Sequence, residues 1–254
     1  MTQHTAHLLS LGRAELTVFL RSKSNLVNVL VVPAMITLGL KVVIDRVDLA
    51  AAGLSLGPVF VSTAAGVTLT MALYAPLVGV YVARREEHML KRMRTGEVSD
   101  TVILTGSALP ATATALVQFA LVATLISLIA GTGMPAAPHL ALAGIVLGAA
   151  MMAALAAATT AMARTVESAQ LALLPGMFLL PLTSGTYFPL EALPPMFHDI
   201  CRFLPLTPAI DLVRAGWTGG MGAGEAALAA AILVAWTALA AGAVRRWFRW
   251  ETRT

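Results

Sequence analysis

Six stretches of this chain, residues 26–44, 57–82, 101–130, 138–163, 169–186 and 224–244, are predominantly apolar over lengths near or above one membrane crossing. A spanning helix needs about 20 such residues, because a backbone N–H or C=O left unpaired in hydrocarbon is too costly. Composition agrees with that reading. Only 12% of the residues are charged and 58% are hydrophobic, whereas a soluble domain carries roughly 25% charged residues to cover its surface. The fold class predicted is an all-α integral membrane protein with six transmembrane helices, forming a single domain over 1–254. The third stretch exceeds one crossing, so its first turns are expected in the interface. The fifth is short and interrupted by Pro175 and Pro181. Pro33 and Pro76 are expected to kink the first two spans, since each removes an i to i−4 hydrogen bond.

Positive charge sets the predicted orientation. Segments 1–25, 83–100, 164–168 and 245–254 hold 13 of the 17 Lys and Arg residues. These segments alternate with the other connections, so the positive-inside rule places them, and both termini, in the cytoplasm. The net charge of +4 then reflects topology, and no nucleic-acid surface is implied. No cleavable signal peptide is expected, because the first apolar span begins near Leu26 behind a charged segment. The single cysteine, Cys201, excludes an intrachain disulfide. His88, His139 and His198 stand in different loops without ligand spacing, so no metal site is predicted.

The fourth stretch, with GIVLGAAMMAALAAATTAMA, is built of small residues that let helix backbones approach closely. Residues 7–22 form an amphipathic pattern expected to lie along the membrane interface, with Ser10, Arg13, Thr17 and Arg21 on the polar arc. Glu15 falls within the apolar arc. Either it snorkels at the edge, or it pairs with a cytoplasmic arginine, most plausibly Arg84 or Arg85. Between the second and third spans, Arg84 to Arg94 is predicted as a short helix. Met89, Leu90 and Met93 make an apolar stripe flanked by Arg85, Glu86, Lys91, Arg92 and Arg94. A loop that only anchored topology would need no such stripe, and this one suits a groove on a cytoplasmic partner.

Residues 85–99, REEHMLKRMRTGEVS, resemble the R-E-x-G-T-L-x-R-L-R-x-T-P-V-S segment of type-2 ABC transporter permeases. Arg85, Glu86, Leu90, Arg92, Arg94, Val98 and Ser99 match. His88, Met89, Met93 and Gly96-Glu97 depart from it. Residues 184–214 resemble the same family's stretch after the fifth helix: Ser184, Gly185, Phe188, Pro189, Leu193, Pro194, Pro205, Leu206, Thr207 and Arg214 all stand in place. Prolines at 189, 194, 195, 205 and 208 cut this stretch into pieces too short to span.

The resemblance implies an N-terminal interfacial helix (1–25), a cytoplasmic coupling helix (83–100) and outer-leaflet re-entrant helices (187–220) before the last span. It also implies a bacterial plasma-membrane protein working as a dimer of identical or different permease chains, with a separate ATPase. The chain has no G-x-x-x-x-G-K-[ST] loop, so ATP and Mg are expected on that partner and no cofactor on this chain. The ATPase contact is implied at Arg84, Arg85, Glu86, Met89, Leu90, Arg92, Met93, Arg94 and Glu15. Resemblance to the G-subfamily exporters places a substrate cavity between spans two and five, nominating Thr68, Met71, Tyr74, Leu174, Met177 and Phe178; each could instead face lipid or a packed helix. It also places a hydrophobic plug at the top of span five, with Leu180 and Leu182 as candidates, unless these pack on the re-entrant segment. The implied activity is export of a drug, antibiotic or lipid-like compound, with a lipid-linked glycan as the alternative cargo. An ion-gradient carrier is the alternative from another class, but no span core clearly holds the Asp, Glu or Arg that ion coupling uses. The span cores instead hold Thr, Ser and Gln118, residues suited to satisfying backbone and helix contacts.

Overall fold

The computed structural model describes residues 35, 38, 39, 42, 56–86, 100–130, 133–163, 166–187, 190 and 194–247. Among these the chain is helical throughout, with turns and no strand. In chain order the elements are α1 (Leu56–Val67), a π-helical segment (Thr68–Tyr74), α2 (Ala75–Glu86), α3 (Asp100–Ala130) and α4 (Pro138–Met162). After them come α5 (Val166–Thr183), α6 (Pro195–Cys201), α7 (Thr207–Thr218) and α8 (Ala223–Trp247).

Four helical stretches among the described residues are long and apolar enough to cross a membrane: 57–83, 104–128, 138–161 and 223–246. They coincide with the second, third, fourth and sixth stretches read from the sequence. Helix α3 has 31 residues, about 46 Å at 1.5 Å per residue, against hydrocarbon of about 30 Å. Four residues of α3 precede the apolar stretch 104–128 and two follow it. Helix α5 has only 18 residues, carries Glu167 in its first turn and contains both Pro175 and Pro181. Of the first predicted span, only Met35, Leu38, Gly39 and Val42 are described, all four helical and exposed.

Helix α4 is the hub, packing against α8, α7, the π segment, α2, α3 and α5. Its small residues explain why. A Cβ on Gly144 would lie 2.8 Å from Ala209 O and 2.9 Å from Val213 N, so α4 and α7 meet backbone to backbone. Such contact gains dispersion energy where lipid offers no hydrophobic drive for helix association. Ala137 N donates to Gly216 O (2.9 Å), fixing the start of α4 to the end of α7.

Helix α7 is only 12 residues long, about 18 Å, and cannot cross. Pro208 opens it, Gly219 at φ 68° closes it, and Ala209, Ile210, Leu212 and Val213 are buried. Phe119 of α3 meets Trp217 edge to face, with ring centroids 6.4 Å apart, and Trp217 Nε1 donates to Ser127 Oγ (3.3 Å). Trp236 Nε1 of α8 donates to Phe203 O (2.9 Å), tying the last helix to the α6–α7 connection.

Candidate functional site

The second span is interrupted at its centre. Over Thr68–Tyr74 the helix widens to π geometry, and Ala75 N donates to Thr70 O, five residues back. Pro76 follows directly and has no N–H to continue the ladder. At Pro76, where the missing donor is expected to kink the span, a π turn stands immediately before the proline. Thr70 Oγ1 supplies an extra donor at the widened turn, bonding Gly66 O at 2.7 Å. Single π turns inside α-helices are rare and frequent at functional sites.

All three span-two candidates lie in this segment. Tyr74 is 1% exposed, and its Oη is 2.9 Å from Thr159 Oγ1 of α4. Thr159 also bonds Leu155 O at 2.9 Å. A threonine hydroxyl has one hydrogen, so both contacts are satisfied when Thr159 donates to Leu155 O and Tyr74 donates to Thr159. The Tyr74 ring also lies against Gly176 of α5: its Cζ is 2.7 Å from where a Cβ would stand. Tyr74 therefore joins the π segment, α4 and α5. Thr68 is fully buried, and among the described residues its hydroxyl has no hydrogen-bond partner. Met71 is half-buried.

The span-five candidates divide differently. Met177 is half-buried, whereas Leu174 and Phe178 are exposed. With Leu171 and Leu182 they follow steps of three and four residues, so these four exposed side chains share one helix face. The structure thus sets Thr68 and Tyr74 inside the bundle, Leu174 and Phe178 on its outer face, and the two methionines at the boundary. Leu180 and Leu182 are not brought together either. Residues two apart on a helix point to nearly opposite sides, and Leu180 is packed in the core while Leu182 is 50% exposed.

The turn after α5 is a buried polar junction. Gly185 takes φ 74°, a left-handed backbone that suits glycine. Ser184 Oγ and Thr186 Oγ1 are 2.7 Å apart, Thr63 Oγ1 of α1 donates to Thr186 O (2.8 Å), and Thr207 Oγ1 of α7 donates to Thr183 O (3.2 Å). A Cβ on Gly66 would collide with the Thr186 side chain. Ser184, Gly185 and Thr207 were singled out in the sequence. Their partners Thr63, Gly66 and Thr186 were not, and neither were Thr159 and Gly176. The available signal was a glycine or threonine inside an apolar run, which marks close approach but not its partner.

At the other end of the second span, the α2 backbone continues through Arg84, Arg85 and Glu86. Tyr81, 1% exposed, donates from its Oη to Leu104 O of α3 (3.1 Å). That bond closes the base of the connection carrying the proposed ATPase contact. Glu15, Met89, Leu90, Arg92, Met93 and Arg94 lie outside the described residues, as do the side chains of Arg84, Arg85 and Glu86.

Threonine usage across the bundle fits a membrane interior. Thr70, Thr159, Thr160, Thr183 and Thr237 all return their hydroxyl hydrogens to the carbonyl four residues back. Gln118 of α3 differs: it is fully buried, and neither end of its amide is hydrogen-bonded among the described residues.

Neither a curated protein nor a solved structure matches the chain. The family model described as ABC-2 type transporter matches residues 6–217. That range takes in the π segment, the 87–99 connection, the Ser184–Thr186 turn and nearly all of α7. This multi-pass helical chain belongs to the ABC-2 type transporter family, as the membrane component of an ABC transporter.

Proposed function

We propose that this chain is the permease half of an ATP-driven exporter for a hydrophobic or amphiphilic compound. It works with a separate ATPase and a second permease chain, six spans to each, in a bacterial plasma membrane. The observation that carries the reading is the exposed apolar face of α5, Leu171, Leu174, Phe178 and Leu182, next to the interrupted centre of the second span. Two chains meeting across that face would enclose a greasy cavity between spans two and five of both. Leu174, Phe178, Met71 and Met177 would line it. Thr68 and Tyr74 lie behind this lining and transmit movement of the π segment to α4 and α5. Leu182 is the candidate for the outer plug, with Leu180 packed behind it.

ATP-driven closure of the partner dimer would push on residues 83–100 and on the interfacial segment 1–25, where Glu15 meets Arg84 or Arg85. The helices would then move as rigid bodies between inward-open and outward-open arrangements. Among the described residues the buried polar side chains are Ser, Thr and Gln, which favours an ATP-driven cycle over an ion-coupled one.

Cysteine cross-linking in membranes tests the shared face. In a Cys201→Ala background, Phe178→Cys and Leu182→Cys are expected to form chain-to-chain disulfides. Leu128→Cys on α3, 77% exposed, is the control that should not. Cross-linking at Leu128 with none at 178 or 182 would move the partner to another face.

A further inference from the structure

A cavity apart from the π segment lies between α6, α7 and the first turns of α8, with a volume of about 230 Å³. Its charged lining residues are Arg202, Asp211, Arg214 and Glu225, with His198 and Thr207 beside them; Asp211 and Arg214 already hold partners within the chain, Arg214 Nε reaching Ser62 Oγ at 3.5 Å. Its other wall is Leu228, Ala229 and Ile232, on one face of α8. These residues stand at the very start of a candidate span, 223–246, where headgroups give way to hydrocarbon. Arg202 is exposed, and among the described residues no ion pair holds it. Among the described residues, Glu225 accepts only a long bond from Gly222 N (3.3 Å).

The charge pattern selects the ligand. A simple anion entering this cleft would meet both guanidiniums but also two carboxylates, and a simple cation would meet the converse. A dipolar group satisfies Arg202 and Glu225 at once, and charge-assisted hydrogen bonds to phosphate and ammonium are the strong ones. An apolar tail attached to it would run down the Leu228–Ile232 face into the bilayer. We propose that this cleft binds a zwitterionic phospholipid. The phosphate meets Arg202, the ammonium meets Glu225, and one acyl chain lies along α8. The inference rests on the chain being a membrane protein of this family. It does not depend on ATP-driven transport, nor on which leaflet the cleft faces.

The test uses the full chain purified in detergent, stripped of lipid and incubated with phosphatidylethanolamine or phosphatidylglycerol of identical acyl chains. Native mass spectrometry counts what is retained. The ethanolamine lipid should be retained over the glycerol lipid by roughly fivefold, the scale of one charge-assisted contact at a half-open site. Glu225→Gln keeps an acceptor for Gly222 N–H but loses the charge, and it should erase that preference. Arg202→Gln should weaken retention of both lipids. Millimolar inorganic phosphate should displace neither. Equal retention of the two lipids by the parent, or an unchanged preference in Glu225→Gln, would overturn the proposal. Displacement by inorganic phosphate would replace it with a free-anion site. No ATPase enters the experiment, so its failure would leave the transport reading standing.

Discussion

Tyr74 Oη stands 2.9 Å from Thr159 Oγ1, joining the π-helical centre of the second span to the hub helix α4. The same tyrosine ring fills the space that Gly176 leaves open on α5, so one side chain couples three helices. Tyr74→Phe removes the hydrogen bond and keeps the ring, and should lower stability by about 1 kcal/mol. Gly176→Ala pushes a methyl into the ring and should cost roughly 1–3 kcal/mol. Combining Gly176→Ala with Tyr74→Leu should recover part of that loss. Thermal unfolding in detergent reads all three. Additive losses in the double variant would mean that the two residues do not share the contact.

The junction after α5 makes a parallel prediction with an internal control. Gly66→Ala should destabilise the protein by roughly 1–3 kcal/mol, because the added methyl meets Thr186. Gly106→Ala points into open space and should be neutral, or stabilising by up to about 1 kcal/mol through helix propensity. Thr186→Ala should relieve part of the Gly66→Ala defect. Equal effects at positions 66 and 106 would contradict the packed junction.

Gln118 carries a buried amide with no partner among the described residues. An unsatisfied buried polar group costs about 1–3 kcal/mol, and an apolar replacement of similar shape removes that cost. Gln118→Leu should therefore raise the unfolding midpoint in detergent. A lowered midpoint would mean that the amide is bonded in the protein as purified.

The apolar stripe Met89, Leu90 and Met93 is proposed to dock the ATPase. Leu90→Asp should abolish co-purification of the partner while the permease elutes as a folded species in detergent. Undiminished recovery of the ATPase would remove the stripe from the interface.

Much of the architecture was legible because hydrophobic run length reports membrane helices directly. The stretches 57–82, 101–130, 138–163 and 224–244 lie within three residues of helical stretches able to span. The crowding of small residues in the fourth announced close helix packing, though not that α7 is the partner at Gly144. The site was less legible. Thr68, Met71 and Tyr74 do fall together in one π segment, but nothing in the local spelling distinguishes a π turn from a proline kink before Pro76. Facing was harder still. Leu180 and Leu182 look alike in an apolar run, and only the helix's 100° step and its neighbours send one inward and the other out. Partners such as Thr63 with Thr186, 123 positions apart, are set by tertiary packing that no short motif encodes.

The most direct test of the central claim is transport in proteoliposomes holding this chain and its ATPase, with a fluorescent lipophilic amine as the probe. ATP should drive accumulation of the dye in inside-out vesicles. Accumulation should persist when ionophores collapse the proton and sodium gradients, and should vanish when the ATPase phosphate-loop lysine is replaced. Accumulation driven by an imposed ion gradient with no ATP, and lost with ionophore, would contradict an ATP-driven permease.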